Sequence, residues 1–411
     1  MKLIDVCVLI VDCPHSTAKD EGRGIPLVRT PNIGKGRLEL NGVHRVNETV
    51  YNQRIERAIP EAGDLILARE APVGNVALIL PGQKVCLGQR VVLIRPDKEK
   101  ADAAFLTYYL LSDKVQHRLK NNANGAVVAH LNMNEIRNLE IDLPDLSEQK
   151  RIASVLSSLD DKIALNNRIN HNLVEQAKAM YKSWFIDFEP FKSLDFTDSD
   201  FGMVPAVWQI RRAEELCPIN IGKTPPRKES QWFSSESSDP VWVSISDMSD
   251  CGVYIDDSSE KLTNDAIRRF NVIIVPADSV LLSFKLTIGR VAIANRSLTT
   301  NEAIARFVTN DKRLSVFLYL TLLSYDYSKL GSTSSIATAV NSKIVKAMPI
   351  LWPGKDVVTQ FAGSVVPLFD EINKRQAENR CLVALRDTML PKLMTGQLTC
   401  LILIYGRVEI I

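Results

Sequence analysis

The feature that most constrains this chain is that it repeats itself. The stretch Ala62-Gly63-Asp64-Leu65-Ile66-Leu67-Ala68, continuing through Val73-Gly74-Asn75-Val76-Ala77, returns as Ala277-Asp278-Ser279-Val280-Leu281-Leu282-Ser283 with Ile288-Gly289-Arg290-Val291-Ala292, always 215 residues later. Pro26-Leu27-Val28 and Asn32 match Val241-Trp242-Val243 and Asp247 at the same offset, and Phe105-Leu106 matches Phe317-Leu318 at 212. From Leu131-Asn132 and Val340-Asn341 onward the offset is 209, through Leu143-Pro144 and Trp352-Pro353, Ile163 and Ile372, Asn170 and Asn379, and Leu173 and Leu382. Small loop deletions account for the drift, so the chain is a duplicated unit of about 200 residues.

Each unit has two parts of different character. The front parts, 1–146 and 205–355, carry short β-branched runs at 65–67, 76–80, 91–94, 272–275, 280–282 and 291–294. Gly, Pro, Asn and Asp separate the runs, which predicts mixed, strand-rich domains with a helix at about 102–120 and 312–328. The back parts read as long helices, 147–188 and 356–398. In the first, Ser147 is the expected cap, and apolar residues recur at Ile152, Leu156, Leu159, Ile163, Leu173, Ala177, Met180 and Trp184, a heptad stripe interrupted by Asn166 and Asn170. In the second, Phe361, Val365, Leu368 and Ile372 lead through polar Arg375 and Asn379 to Leu382 and Met389, with Pro367 as a local defect. Two such stripes in one chain bury each other most economically, and two equivalent units close around a pseudo-two-fold axis, so an antiparallel coiled coil is expected. Residues 189–204, rich in acids, read as a solvated linker, and 399–411 as a tail outside the pattern. The fold class is α+β.

Composition excludes several classes. Apolar residues make up 45% and charged ones 24%, as in an ordinary globular protein. The apolar runs, Leu401-Ile402-Leu403-Ile404-Tyr405 among them, are far short of a bilayer span, and Asp5 falls where a signal peptide is apolar, so a cytoplasmic location is expected. Seven scattered cysteines encode neither a disulfide framework nor a zinc site. With 50 basic against 48 acidic residues, any basic surface must come from segregation.

The stretch Leu143-Pro144, Glu148-Gln149-Lys150-Arg151-Ile152-Ala153, Leu156, Leu159-Asp160-Asp161-Lys162-Ile163, Asn167-Arg168-Ile169-Asn170, Ala177, Met180-Tyr181-Lys182-Ser183-Trp184-Phe185-Ile186-Asp187-Phe188 resembles the central conserved region of specificity subunits of type I restriction-modification enzymes. Cys13-Pro14-His15-Ser16-Thr17 with Gly24-Ile25-Pro26-Leu27-Val28-Arg29-Thr30 is similar to the start of one of that family's recognition domains. The resemblance covers about 1–398, with Val357-Val358 standing where the first helix has Glu148-Gln149. It implies a non-catalytic subunit that reads double-stranded DNA. Each front part would be a target-recognition domain for one half of a split site, and the helices would set the gap and dock two methyltransferase subunits. Nuclease-translocase subunits would complete the enzyme.

Catalytic motifs do not compete with that reading. The only Pro-Pro, in Thr224-Pro225-Pro226-Arg227, lacks the adenine-methyltransferase pattern, and Gly222-Lys223-Thr224 lacks the preceding glycine and following helix of a phosphate loop. Pro144-Asp145 with Glu148-Gln149-Lys150 imitates a nuclease pattern but sits at a helix start, where acids favour the dipole. His15, His44, His117, His130 and His171 share no metal spacing. No catalytic residue, metal or cofactor is expected. DNA contacts need Lys and Arg for phosphates and Arg, Asn, Gln or Lys for base edges. The loop candidates are His15, Ser16, Lys19, Arg29, Asn32, Lys35, Arg37, Arg69 and Asn75 in the first domain, and Lys223, Arg227, Lys228, Ser246, Lys285 and Arg290 in the second. The rival reading is a protein-protein adaptor that uses its paired helices without reading DNA.

Overall fold

The computed structural model describes residues 1–14, 16–121, 130–249, 251–330 and 340–398. Candidate His15 and the tail 399–411 lie outside them. The chain divides into two compact units, Met1–Ile163 with Cys381–Ile411, and Ala164–Arg380.

The first unit is built on a five-stranded sheet in the order Cys7–Asp12, Val91–Pro96, Leu65–Ala68, Val76–Leu78, Gly36–Arg37. All neighbours are antiparallel except the last pair, which is parallel. Leu65–Ala68 is buried at every position because both faces of the sheet are covered, so it reads in sequence as a continuous apolar run. Alternate residues feed different cores. Leu65, Leu67, Val76, Val92 and Ile94 join Phe105, Leu106, Ile152, Ala153 and Leu156 on the helical side, and Ile66, Ala68, Ala77, Val91 and Leu93 join Val28 and Ile33 on the other. Beyond that second face a three-stranded sheet, Arg45–Val46, Ile25–Val28, Cys86–Leu87, shelters its own small core.

The second unit repeats the plan, with the order Ile219–Ile221, Ile304–Phe307, Val280–Ser283, Val291–Ala294, Tyr254–Ile255 and again one parallel pair at the end. Register is retained as well as order. Leu65, Ile66 and Leu67 face Leu78, Ala77 and Val76, and 215 residues on Val280, Leu281 and Leu282 face Ile293, Ala292 and Val291. The run 272–275 is not a strand. Val272 follows the end of the helix Asn264–Arg269, and only Val275 makes an isolated bridge, to Leu298, before Pro276 removes the next donor.

The long helices span Leu146–Phe185 and Lys355–Met394. The first starts on Asp145 rather than Ser147, since the Glu148 amide donates to Asp145 Oδ1 at 2.9 Å. Pro367 lies inside the second helix and does not end it. In the second unit, Asn166 bonds Asn379 while Phe185 meets Phe361 edge-on at 4.8 Å, so residue numbers rise along one helix as they fall along the other, and the pair is antiparallel.

The stripe is wider than a two-helix seam because the helices also pack on the front domains. Tyr181 and Phe185 meet Phe317 as well as Phe361. Of the anticipated pairing residues, Ile152, Leu156, Phe361, Val365 and Ile372 are buried. Leu159, Leu173 and Leu368 pack half-buried on the cores, and Ile163 and Leu382 are half-buried outside them. Phe369, fully buried, was not in the anticipated set.

The repeat makes Asn170 and Asn379 equivalent and so the expected polar pairing positions of the two stripes, but the polar centre is organised differently. The buried asparagine is Asn166, which donates to Glu378 and Asn379 and accepts from Arg375, whereas Asn170 has an oxygen shielded from solvent without a partner. Residues 189–204 are more than a solvated linker. Their acids are exposed, but Phe191 packs edge-on against Trp208 at 5.0 Å, as does Phe188, just before the segment, at 5.4 Å.

Candidate nucleic-acid interface

The loop candidates fall into two groups, those held by the fold and those presented to solvent. Arg69 is buried, its Nε donating to Leu131 O at 2.8 Å and its Nη2 lying 2.6 Å from His130 Nε2. Asn75 Nδ2 donates to Ile33 O at 2.8 Å, and Arg290, its counterpart in the repeat, donates to Ile245 O at 2.7 Å. Arg37 reaches Asp161 on the first long helix at 2.6 Å. These four side chains tie loops or edge strands to the rest of their units. Gly74 and Gly289, both with positive φ, leave room for a neighbouring side chain, because a Cβ would meet Gln116 Oε1 at 2.8 Å and the Tyr327 ring at 3.1 Å.

Asn32 is also a framework residue. Its Oδ1 accepts the Arg29 amide at 3.1 Å, and in the second unit the Ser244 amide donates to Asp247 Oδ2 at 2.8 Å, the same turn at the same place in the repeat. Ser246 bonds Ser244 within that turn. Lys223 Nζ donates to Phe270 O and Asn271 O, capping the helix Asn264–Arg269. Arg227 lies over the Phe233 and Trp242 rings at 4.5 and 4.6 Å and pairs with Glu260. Ser16, Lys19, Lys35, Lys228 and Lys285 are exposed.

One cleft on the first unit gathers charge. Ser16, Arg29, His44, Arg54 and Arg90 line a cavity of about 350 Å³ that has no carboxylate in its wall. Arg54 is buried and donates to Leu87 O, Ser16 O and Ser16 Oγ, all uncharged acceptors. Arg29 Nε is shielded from solvent with no partner. Arg90 pairs with Glu70 at 3.0 Å, and His44 stands 3.9 Å from Asp20. The amides of Arg45 and Gly22 hold the Asp20 carboxyl below its usual range, with His44 and Arg29 adding to the effect. The sequence reading had Ser16 and Arg29 but not His44, Arg54 or Arg90. Arg54 ends the helix Glu48–Arg54 and would pass for a surface charge in any one-dimensional reading. Among the described residues no group of three or more His, Cys, Asp or Glu is placed to hold a metal, and no helix is long and apolar enough to cross a membrane.

The family model of the type I restriction modification DNA specificity domain matches the chain twice, over residues 1–175 and 205–373. The chain belongs to this family. It is similar to the type I restriction enzyme HindI specificity subunit of Haemophilus influenzae, with 23% identity over 82% of this chain and 86% of that one. It is similar also to the MjaIX specificity subunit of Methanocaldococcus jannaschii, with 26% identity over 87% and 82%. Among solved structures it resembles the type I restriction-modification S subunit of M. genitalium, with 14% identity, a TM-score of 0.54 and coverage of 96% and 95%. The two family matches fall on the two repeats, so the chain is a specificity subunit of a type I restriction-modification system, a DNA-binding component, with the DNA specificity domain matched twice in one polypeptide. The repeated sheets of the specificity subunit are therefore two copies of the same DNA-specificity domain.

Proposed function

We propose that this specificity subunit reads a bipartite site on double-stranded DNA, residues 1–146 taking one half and 205–355 the other, and itself performs no chemistry. Residues 147–188 and 356–398 act as spacers that set the unread interval and hold methyltransferase subunits, to which the restriction subunits add. The observation that carries this reading is that order and register of the five-stranded sheet recur in the second unit while the side chains presented around it change, Arg29 becoming Ser244 and Glu70 becoming the exposed Lys285. One frame carrying two sets of contact residues suits a target made of two unlike halves. Ser16, Lys19, Arg29, Lys35, Lys228 and Lys285 are the candidate contacts that remain accessible or unpartnered. Each spacer helix has 40 residues, a length of about 60 Å at 1.5 Å per residue, enough for a rigid ruler.

The test is an exchange. Residues 1–146 are replaced by the corresponding segment of another specificity subunit, the chimera is expressed with its methyltransferase subunits, and methylated sites are mapped across the genome. One half-site changes, and the other half and the interval stay. A change in both halves would overturn the assignment. A purified chain that methylates DNA with S-adenosylmethionine, or cuts it with ATP and magnesium, would overturn the non-catalytic role.

A further inference from the structure

The cleft around Arg29 carries an inference that rests on the DNA reading proposed above and names what one site of the first domain holds. Burying a guanidinium is costly unless a negative charge or a full set of hydrogen bonds offsets it. Arg54 is 5% exposed and meets only carbonyl and hydroxyl oxygens, so its hydrogen bonds are supplied but its charge is not neutralised. Arg29 stands in the same wall with its backbone amide fixed by Asn32 and with no hydrogen-bond or ion-pair partner for its guanidinium among the described residues. Its stem lies against Gly88, where a Cβ would come within 2.6 Å of Arg29 Cγ, so glycine at that position leaves the space the arginine occupies. Of the two acids nearby, Glu70 is already paired with Arg90, and Asp20, held by the amides of Gly22 and Arg45, feels the charge of Arg29 without forming an ion pair with it. The repeat supplies a control. The same turn in the second unit presents Ser244 where the first presents Arg29, so the frame does not need a cation there.

We infer that this cleft seats one phosphodiester of the DNA backbone, with the Arg29 fork on the non-bridging oxygens and Arg54 behind it as a fixed positive charge. A base edge offers acceptors but no charge, and would leave Arg54 uncompensated. A phosphate offers both. The contact positions the first recognition domain on the duplex and carries no sequence information.

The test is a set of anisotropy titrations of the full-length chain, using one fluorescent duplex with the mapped site and one unrelated duplex of equal length, over a series of salt concentrations. Arg29→Gln weakens binding to both duplexes by a similar factor, about ten-fold, and lowers the slope of log affinity against log salt by about one. Arg29→Lys, which keeps the charge but not the fork, retains most of the affinity, and the methylated sequence stays the same in both variants. Arg29→Gln binding both duplexes like the parent, with the parent slope, overturns the phosphate seat. So does a loss confined to the mapped site and shared equally by Arg29→Lys, which is the signature of base reading. A parent chain with no salt-dependent affinity for either duplex overturns the DNA reading itself, so the two failures are distinct.

Discussion

Arg375 donates a hydrogen bond to Asn166 at 3.0 Å, and the two residues are 209 positions apart, the offset at which the helical parts repeat. They are the same residue of the duplicated unit, brought face to face. Equivalent positions of two antiparallel helices can touch only near their point of symmetry, so this pair marks the centre of the seam. The neighbouring bonds from Asn166 to Asn379 and from Asn379 to Asn167, at 2.9 and 2.7 Å, make the centre a polar cluster with directed partners.

A buried cluster of this kind fixes register because any slip leaves its members unpaired. Asn166→Leu takes one hydrogen bond each from Arg375, Glu378 and Asn379 and lowers stability by about 2 kcal/mol. Asn170→Leu removes an oxygen that has no partner and leaves stability unchanged or higher. Thermal unfolding of the two variants side by side checks this, and the opposite order of melting temperatures would reassign the register role to Asn170.

The joints between front domain and helices differ chemically in the two units. In the first, Arg386 pairs with Asp160 at 2.8 Å, and Tyr108 donates to the same carboxylate at 2.6 Å. At the corresponding places of the second unit stand Ala177, Phe369 and Leu320, all apolar and buried. Asp160→Asn costs about 1–2 kcal/mol, because half-buried Arg386 loses its shielded partner and keeps only the exposed Asp387. The triple variant Asp160→Phe, Arg386→Ala, Tyr108→Leu reproduces the apolar joint and recovers most of that loss. Urea unfolding monitored by tryptophan fluorescence reads both, and a triple variant no better than the single one would show that the joint tolerates only the ionic arrangement.

Asp278 supplies a pH dependence. Burial raises its carboxyl above the ordinary 3.8, and Asp370 and Asp311 add to the rise against the opposing pull of Lys312. A raised folded-state value means that the protonated form is favoured by folding. The stabilisation is complete below 3.8 and is lost as pH rises through the raised value. Asp278→Asn therefore raises the melting temperature at neutral pH and gives no advantage in acid. Asparagine suits the site, where φ is +67°. An advantage that persists unchanged at pH 3 would point to a cause other than ionisation.

The cysteines differ in reactivity. Burial pushes the Cys7 and Cys217 thiols up to about 12 and the Cys86 thiol to about 11, whereas Cys381 is exposed. Iodoacetamide at pH 8 labels Cys381 in the folded chain and leaves the other three unmodified until denaturant is added. Peptide mass spectrometry resolves the sites. Early labelling of Cys86 would mean that its small core opens readily.

The duplication made most of the architecture legible, because two copies of one pattern confirm each other wherever both survive. The strands at 65–67 and 280–282, the helix pair and its antiparallel sense all followed from it. What escaped depends on the third dimension. Arg54 and Arg29 share a cleft only because the small sheet brings Ile25–Val28 beside Cys86–Leu87 and the helix Glu48–Arg54 folds over them. Asn166 and Asn170 sit one turn apart on the same helix, and only the crossing partner decides which is inside. Val272-Ile273-Ile274-Val275 has strand composition, but its neighbours give it no sheet to join. Arg69, Asn75 and Arg290 are basic or polar loop residues by type and framework residues by contact.

The turns at Arg29 and Ser244 are anchored from three residues downstream, by Asn32 and Asp247, so the shape does not depend on the identity of the residue it displays. That separation gives the domain room to evolve. A point mutation at the displayed position can exchange arginine for serine or another side chain while the loop beneath stays folded, and after duplication each copy can vary what it displays without putting the shared scaffold at risk.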